Sequence, residues 1–250
     1  MNLCTDQMAM LIADEGQLHS VSYLASEPGA SVLAEQAGKY VVNHGLAEEI
    51  FLMQPDLVIA GTFSTRTTVD LLKRLGFKVE EFAPENSFDD VRANLKRMGA
   101  ILGREQRAAE LVAELDRGLA RLAANAVPQK SVALYYANSY TSGSGTLADA
   151  IVKASGLRNI GDALGFTGTV RLPLELLLIA NPDLIVAGDS RYEAPALAHE
   201  NFVHPAYKAV ARGDRTVAVP SKYTICGAPF TLEAARILQD AARKLPGGKQ

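Results

Sequence analysis

Pro55-Asp56-Leu57-Val58-Ile59-Ala60-Gly61 recurs as Pro182-Asp183-Leu184-Ile185-Val186-Ala187-Gly188, with five positions identical and the other two exchanging valine and isoleucine. Each copy reads as a Pro-Asp turn feeding a short buried strand, because β-branched residues fill the run and glycine closes it. Glu48 and Glu175 repeat at the same offset, each on a helical stretch seven residues before its proline. A strand unit and a helix feature duplicated together predict two similar halves.

Working outward, strand-like runs at His19 to Leu24, Leu57 to Gly61, Phe77 to Phe82, Ser131 to Ala137, Leu184 to Gly188 and Thr216 to Val219 alternate with helical patterns. Strands separated by helices predict parallel α/β sheets. Asn2-Leu3-Cys4 reads as the end of a strand, with a helix from Thr5 to Ala13 after it, so an upstream targeting segment is expected to have been removed. Between the halves, Ala108, Leu111, Val112, Leu115, Leu119 and Leu122 form one apolar stripe at helical spacing. That gives a helix over 104–125, about 33 Å long at 1.5 Å per residue. Val127-Pro128 stops it, since proline cannot continue the hydrogen-bond ladder. The expected architecture is α/β: a lobe over 1–103, a connecting helix over 104–126 and a lobe over 127–250, with a ligand cleft between two similar parallel-sheet lobes.

Composition excludes several classes of function. In 250 residues, 48% are hydrophobic, and 28 acids against 25 bases leave a net charge of −3. Nucleic acid is not an expected partner for scattered bases and a slightly acidic balance. No apolar run reaches the ~18 to 20 residues a membrane crossing needs, and the first residues lack the basic and apolar regions of a signal peptide. Cys4 and Cys226 fit no zinc or redox spacing; two buried thiols and one disulfide in an oxidising compartment are both compatible with them.

Ligands of open parallel sheets bind beyond the carboxyl ends of the strands. In the first half these ends hold Thr5, Asp6, Tyr23, Phe63, Arg66 and Glu85, and in the second Tyr136, Tyr140, Asp189, Arg191, Tyr192, Lys222 and Tyr223. Six of the eight tyrosines lie at or just after a strand end, which predicts an aromatic-lined pocket for a bulky ligand of mixed polarity. Tyr135 and Tyr136 are neighbours on opposite faces of one strand, so one of them must face inward. Arg66 and Arg191 can hold ligand oxygens or carboxylates. Gly143-Ser144-Gly145-Thr146-Leu147-Ala148 matches a dinucleotide fingerprint, but five residues separate it from its strand, where the fingerprint needs none. The four histidines include no HxxxH pair, and neither a metal site nor a catalytic motif is expected. The competing reading is a cytoplasmic two-lobe nucleotide-using α/β enzyme, with Gly143 to Ala148 holding phosphate.

With these residues in view, the chain resembles the substrate-binding proteins of ABC importers in the class whose two α/β lobes are bridged by a single helix, which carry cobalamin, ferric siderophores or haem. The resemblance covers almost the whole chain and rests on the two Pro-Asp units, the Glu-bearing helices before them, Leu102-Gly103 ahead of the long helix and Cys226-Gly227-Ala228-Pro229 before the last. It implies a non-enzymatic periplasmic protein, monomeric and without a cofactor, delivering a small-molecule metal chelate or corrinoid to a membrane permease. It implies that Glu48 and Glu175 dock onto that permease. Cobalamin-binding members often set tryptophan against the corrin, and this chain has none. Haem-binding members often use tyrosine or histidine on iron, a role open to Tyr23, Tyr136 or His44. The tyrosine-rich loops place a ferric siderophore first, a corrinoid second and haem third. A bridge between Cys4 and Cys226 would, on this reading, tie the two lobes together.

Overall fold

The computed structural model describes residues 1–127, 129–187 and 199–245. They form two compact units, Met1–Leu115 with Ile225–Pro229, and Asp116–Thr224 with Phe230–Gln250. The first contains α1 (Leu3–Ile12), β1 (Ser20–Ser22), α2 (Ala34–Ala37), β2 (Val41–Asn43), α3 (Ala47–Met53), β3 (Val58–Gly61), α4 (Arg66–Arg74), β4 (Val79–Phe82) and α5 (Phe88–Leu102). Helix α6 (Glu105–Ala124) follows, and the division between the units falls within it. Ala108, Leu111, Val112, Leu115 and Leu122 of its apolar stripe are buried.

In the first unit β1 pairs with β2 and β3 with β4, both in parallel, as two separate ladders. The N-terminus differs from its reading as a strand end, because Leu3 and Cys4 are already the first turn of α1. The Asn2 side chain accepts from the amides of Cys4 and Thr5, the competition that makes asparagine a strong helix cap.

The second unit contains β5 (Ser131–Tyr135), β6 (Tyr140–Ser142), α7 (Leu147–Ala154), β7 (Arg158–Asn159), α8 (Ile160–Ala163), β8 (Thr169–Arg171), α9 (Leu174–Ala180), β9 (Leu184–Ala187), α10 (Glu200–Val203), α11 (Pro205–Val210), β10 (Thr216–Ala218) and α12 (Leu232–Lys244). Its main sheet is parallel throughout, in the order β10-β9-β5-β7. The antiparallel ribbon β6–β8 lies where the sequence reads as polar loop, since three-residue polar strands carry no apolar period. All five residues of β5 are buried.

The repeat is real at the level of backbone. Helices α3 and α9 stand 127 positions apart and have the same length. Each is closed by a left-handed residue, Gln54 with φ 46° and Asn181 with φ 39°. The proline that follows excludes the α region for the residue before it, so both helices must stop there. In the second copy the Asp183 carboxylate accepts from the backbone N–H and the hydroxyl of Ser131, each at 2.8 Å, pinning the start of β9 to the start of β5.

Burial would raise the Asp183 pKa, but these two bonds and the nearby Lys130 and Arg215 charges outweigh it and hold the group below the usual carboxylate range. Its contribution is therefore complete above the unfolded pKa of about 3.9 and is lost as pH falls through the lower folded value. Ser131→Ala should cost about 1–3 kcal/mol at pH 7. Urea titrations at pH 7 and near pH 3 should show the gap to the parent protein narrowing in acid, and a gap independent of pH would contradict this.

Candidate functional site

At the strand ends of the first unit, Tyr23 begins a 3-10 turn directly after β1 and His44 directly follows β2. Parallel pairing of Ser22 with Asn43 brings the two rings together, stacked at 5.6 Å with 22° between their planes. His44 Nδ1 lies 2.9 Å from Glu49 Oε1, and the His44 amide donates to the other carboxylate oxygen. These bonds, the backbone one foremost, hold the Glu49 carboxyl below its usual range. After β3, Phe63 is 85% exposed, and Arg66 opens α4 on the surface.

Thr5 and Asp6 do not join this exposed group. Both are buried: Thr5 Oγ1 donates to the Asn2 carbonyl, and Asp6 pairs with the Met1 amino group at 3.1 Å and accepts from the Ser22 amide at 2.7 Å. Glu85 is buried as well, accepting from Asn94 and from the Gly227 amide.

Cys4 and Cys226 form a disulfide with their Cα atoms 5.0 Å apart. The expectation that such a bridge ties one lobe to the other is corrected, because 225–229 belongs to the first unit together with Cys4. Gly227 shows why that segment fits there: a β-carbon on it would meet Val91 at 2.6 Å and Glu85 at 2.8 Å. Sequence order, which puts Cys226 after the second Pro-Asp unit, hides this return.

In the second unit Tyr135 is the tyrosine that faces inward. It is fully buried, stacked on Tyr207 at 5.5 Å and edge-on to Phe202, with its hydroxyl donating to Ser139. Tyr136 leaves the strand on the other side, against a cavity of about 100 Å³ lined by Val186, Val219, Ser221 and Thr224. Burial pushes its phenol up to about 12, against a hydrogen bond with Ser142 that lowers it. Tyr140 lies on β6 with the Arg171 guanidinium 5.8 Å from its ring centroid. Lys222 lies 5.3 Å from the ring of Tyr223. Arg191 and Tyr192 lie outside the described residues.

Arg171 and the Tyr23–His44 stack are absent from the sequence reading of the site. Arg171 sits on a strand too short to show a period, and the stack depends on β2, whose Val41-Val42 pair is equally short.

The first two amides of the glycine-rich segment are already bonded within the fold. Gly143 N–H donates to Gly168 and Ser144 N–H to Phe166, while Thr146 caps α7. A β-carbon on Gly143 would lie 2.0 Å from the Phe166 carbonyl oxygen, so the glycine serves a close backbone approach. Among the described residues no group of three His, Cys, Asp or Glu side chains gathers for a metal, and no helix is long and apolar enough to cross a membrane.

On the repeated helices Glu48 and Glu175 are both exposed and carry no ion pair among the described residues. Glu49, the neighbour that could have competed for the role, is engaged with His44. Four residues beyond each glutamate an aliphatic side chain stands in solvent, Leu52 at 81% and Ile179 at 79% exposure.

Two α/β units with parallel sheets carry aromatic and basic side chains at their strand ends. The chain belongs to the periplasmic binding protein family, whose model matches residues 3–215. It is 30% identical over 204 residues to a cobalamin-binding protein of Halobacterium salinarum, covering 78% of this chain and 54% of the relative. The chain thus spans about half the length of that relative. A possible iron-binding protein of Staphylococcus epidermidis has the same fold, with a TM-score of 0.79, 18% identity and coverage of 97% and 96% of the two chains. A periplasmic haem-binding protein of Pseudomonas aeruginosa matches with a TM-score of 0.76, 20% identity and coverage of 97% and 91%.

Proposed function

We propose that this protein is the substrate-binding component of an ABC importer, acting in the periplasm, where an oxidising environment keeps the Cys4–Cys226 bond closed. It captures a bulky metal chelate on the strand-end loops and passes it unchanged to a membrane permease. The observation that carries this reading is the duplicated helix α3/α9, with Glu48 and Glu175 exposed at matching positions. A partner with two copies of one cationic receptor surface would be met by two copies of one acidic ligand. Leu52 and Ile179, one turn from the glutamates, add apolar area that such a contact would cover.

For the ligand, the cobalamin-binding relative at 30% identity supports a corrinoid ahead of the ferric siderophore that the tyrosines alone favour. The missing tryptophan is no obstacle, since the first unit carries flat faces suited to a macrocycle in Phe63 and in Tyr23 stacked on His44, and the second unit carries one in Tyr140 beside Arg171. The siderophore reading retains support from Arg66 and the tyrosine hydroxyls, which suit chelate oxygens.

Calorimetric titration with cyanocobalamin, ferrichrome and haemin separates these readings. Cyanocobalamin is expected to bind at micromolar concentration or below, and Phe63→Ala to weaken it about tenfold. Saturation by ferrichrome alone would select the second ligand, and saturation by ATP or NAD in place of all three would end the transport reading.

A further inference from the structure

Two neighbouring carboxylates at the start of α3 stand in different surroundings. Glu48 is exposed, whereas Glu49 turns back onto the residues that join β2 to the helix. Its Oε2 accepts from the His44 amide at 2.6 Å, its Oε1 meets His44 Nδ1 at 2.9 Å, and the Leu46 amide adds a further bond. Glu49 is the third residue of α3, and a glutamate there commonly reaches back to the amide ahead of the helix. Capping therefore accounts for the backbone bonds. It does not account for the bond to the imidazole.

An ionised carboxylate can only accept, so in the neutral ring the hydrogen sits on Nδ1 and Nε2 keeps its lone pair. No hydrogen bond among the described residues uses Nε2, and the His44 side chain is 60% exposed. Stacking on Tyr23 fixes the plane of the ring, while Glu49 fixes its edge. An acceptor of known direction is thus set before any ligand arrives, at a strand end where parallel sheets hold their ligands. The charge around it is negative. Glu49 pairs with no lysine or arginine among the described residues, and Glu48 beside it carries no ion pair among them either.

We infer that His44 Nε2, with Glu49 as its positioning residue, accepts a hydrogen bond from a peripheral amide of the ligand, and that the pair selects an amide-bearing macrocycle over a carboxylate-bearing one. An amide N–H donates to Nε2. A carboxylate in the same place offers acceptors alone and brings a like charge against Glu49. The inference rests on the corrinoid reading above, because a corrinoid carries amide side chains around its ring where haem carries carboxylates.

Two measurements test it, and the first needs no ligand. Ring-nitrogen NMR of the free protein near neutral pH should find His44 neutral with its hydrogen on Nδ1. Glu49→Gln should keep that tautomer, since the amide oxygen still accepts, and Glu49→Ala should lose it. A doubly protonated ring in the parent, or a hydrogen on Nε2, overturns the proposal. Calorimetry then compares cyanocobalamin with its peripheral monocarboxylic acids, and the parent should bind at least one of these about tenfold more weakly. His44→Phe keeps a flat ring and loses the acceptor, so it should weaken cyanocobalamin about tenfold, and by more than it weakens that acid. Glu49→Gln should narrow the preference by admitting the acid more tightly. Equal affinity of the parent for cyanocobalamin and every acid overturns the selection and leaves the corrinoid reading standing, whereas binding of none of them overturns both. A shift of the aquocobalamin absorption band with the parent that is lost in His44→Phe would place Nε2 on the metal and overturn the amide as its partner.

Discussion

Replacing Glu48 and Glu175 together with arginine should reduce ligand delivery by the cognate ABC permease at least tenfold while leaving the affinity of the free protein for its ligand unchanged. Both carboxylates are exposed on short surface helices that start at Ala47 and Leu174, and on the first of them it is Glu49, not Glu48, that bonds to His44 of the strand-end stack, so the substitution alters charge and leaves that bond in place. A single exposed ion pair contributes little, about 0 to 1 kcal/mol. Opposed charges at an interface, however, set encounter rate and register, and reversing both turns two attractions into two repulsions that cost several kcal/mol together. The single variants should each show a partial loss. Uptake of labelled cyanocobalamin into proteoliposomes, alongside calorimetry of the isolated variants, separates docking from capture. Undiminished delivery by the double variant would remove the docking role from these residues, and a parallel loss of ligand affinity would show that they act on the pocket instead. Leu52→Ser with Ile179→Ser should give a smaller loss in the same assay, because it removes apolar area without introducing repulsion.

Reduction of the Cys4–Cys226 bond should lower the melting temperature by about 10 °C. The cross-link spans 222 positions in sequence. Restricting an unfolded chain over that length corresponds to about 5 kcal/mol as an upper value, and removal of native disulfides costs about 2–5 kcal/mol in practice. For a chain of this size each kcal/mol moves the midpoint by roughly 2–4 °C. The bond also anchors 225–229, which returns to the first unit directly after Lys222, Tyr223 and Thr224, so ligand affinity should fall along with stability in Cys4→Ser/Cys226→Ser. Thermal melts with and without dithiothreitol, with thiol counting before reduction, check both statements. Two thiols titrating before reduction, with unchanged melting after it, would contradict the bond.

Much of the site was hidden for reasons that particular residues make clear. The strand ends after β1, β3 and β5 were legible because apolar runs ending in turn residues mark them, and Tyr23, Phe63, Arg66 and Tyr136 follow such runs. Thr5 and Asp6 belong to the same reading, yet their side chains are spent on the N-terminus, with Asp6 holding Met1 and Ser22. Local sequence cannot show this, since the partners of Asp6 are set by the packing of α1 against β1. His44 gained its place through β2, and Arg171 through β8, strands of three residues each. The glycine-rich motif was the reverse case, a pattern with the right letters whose first two amides the fold had already used.

The sequence by itself determined the α/β class, the duplication at an offset of 127, the long helix with its buried stripe and the pairing of Glu48 with Glu175. Each of these is written in periodicity or in a repeated local motif, and local interactions suffice to express them. The tertiary structure alone decided that Cys226 joins Cys4 within one unit and that Tyr135 rather than Tyr136 fills the core. Those outcomes depend on which distant segments share hydrogen bonds and buried area, a choice made by the global packing minimum and not by the residues on either side.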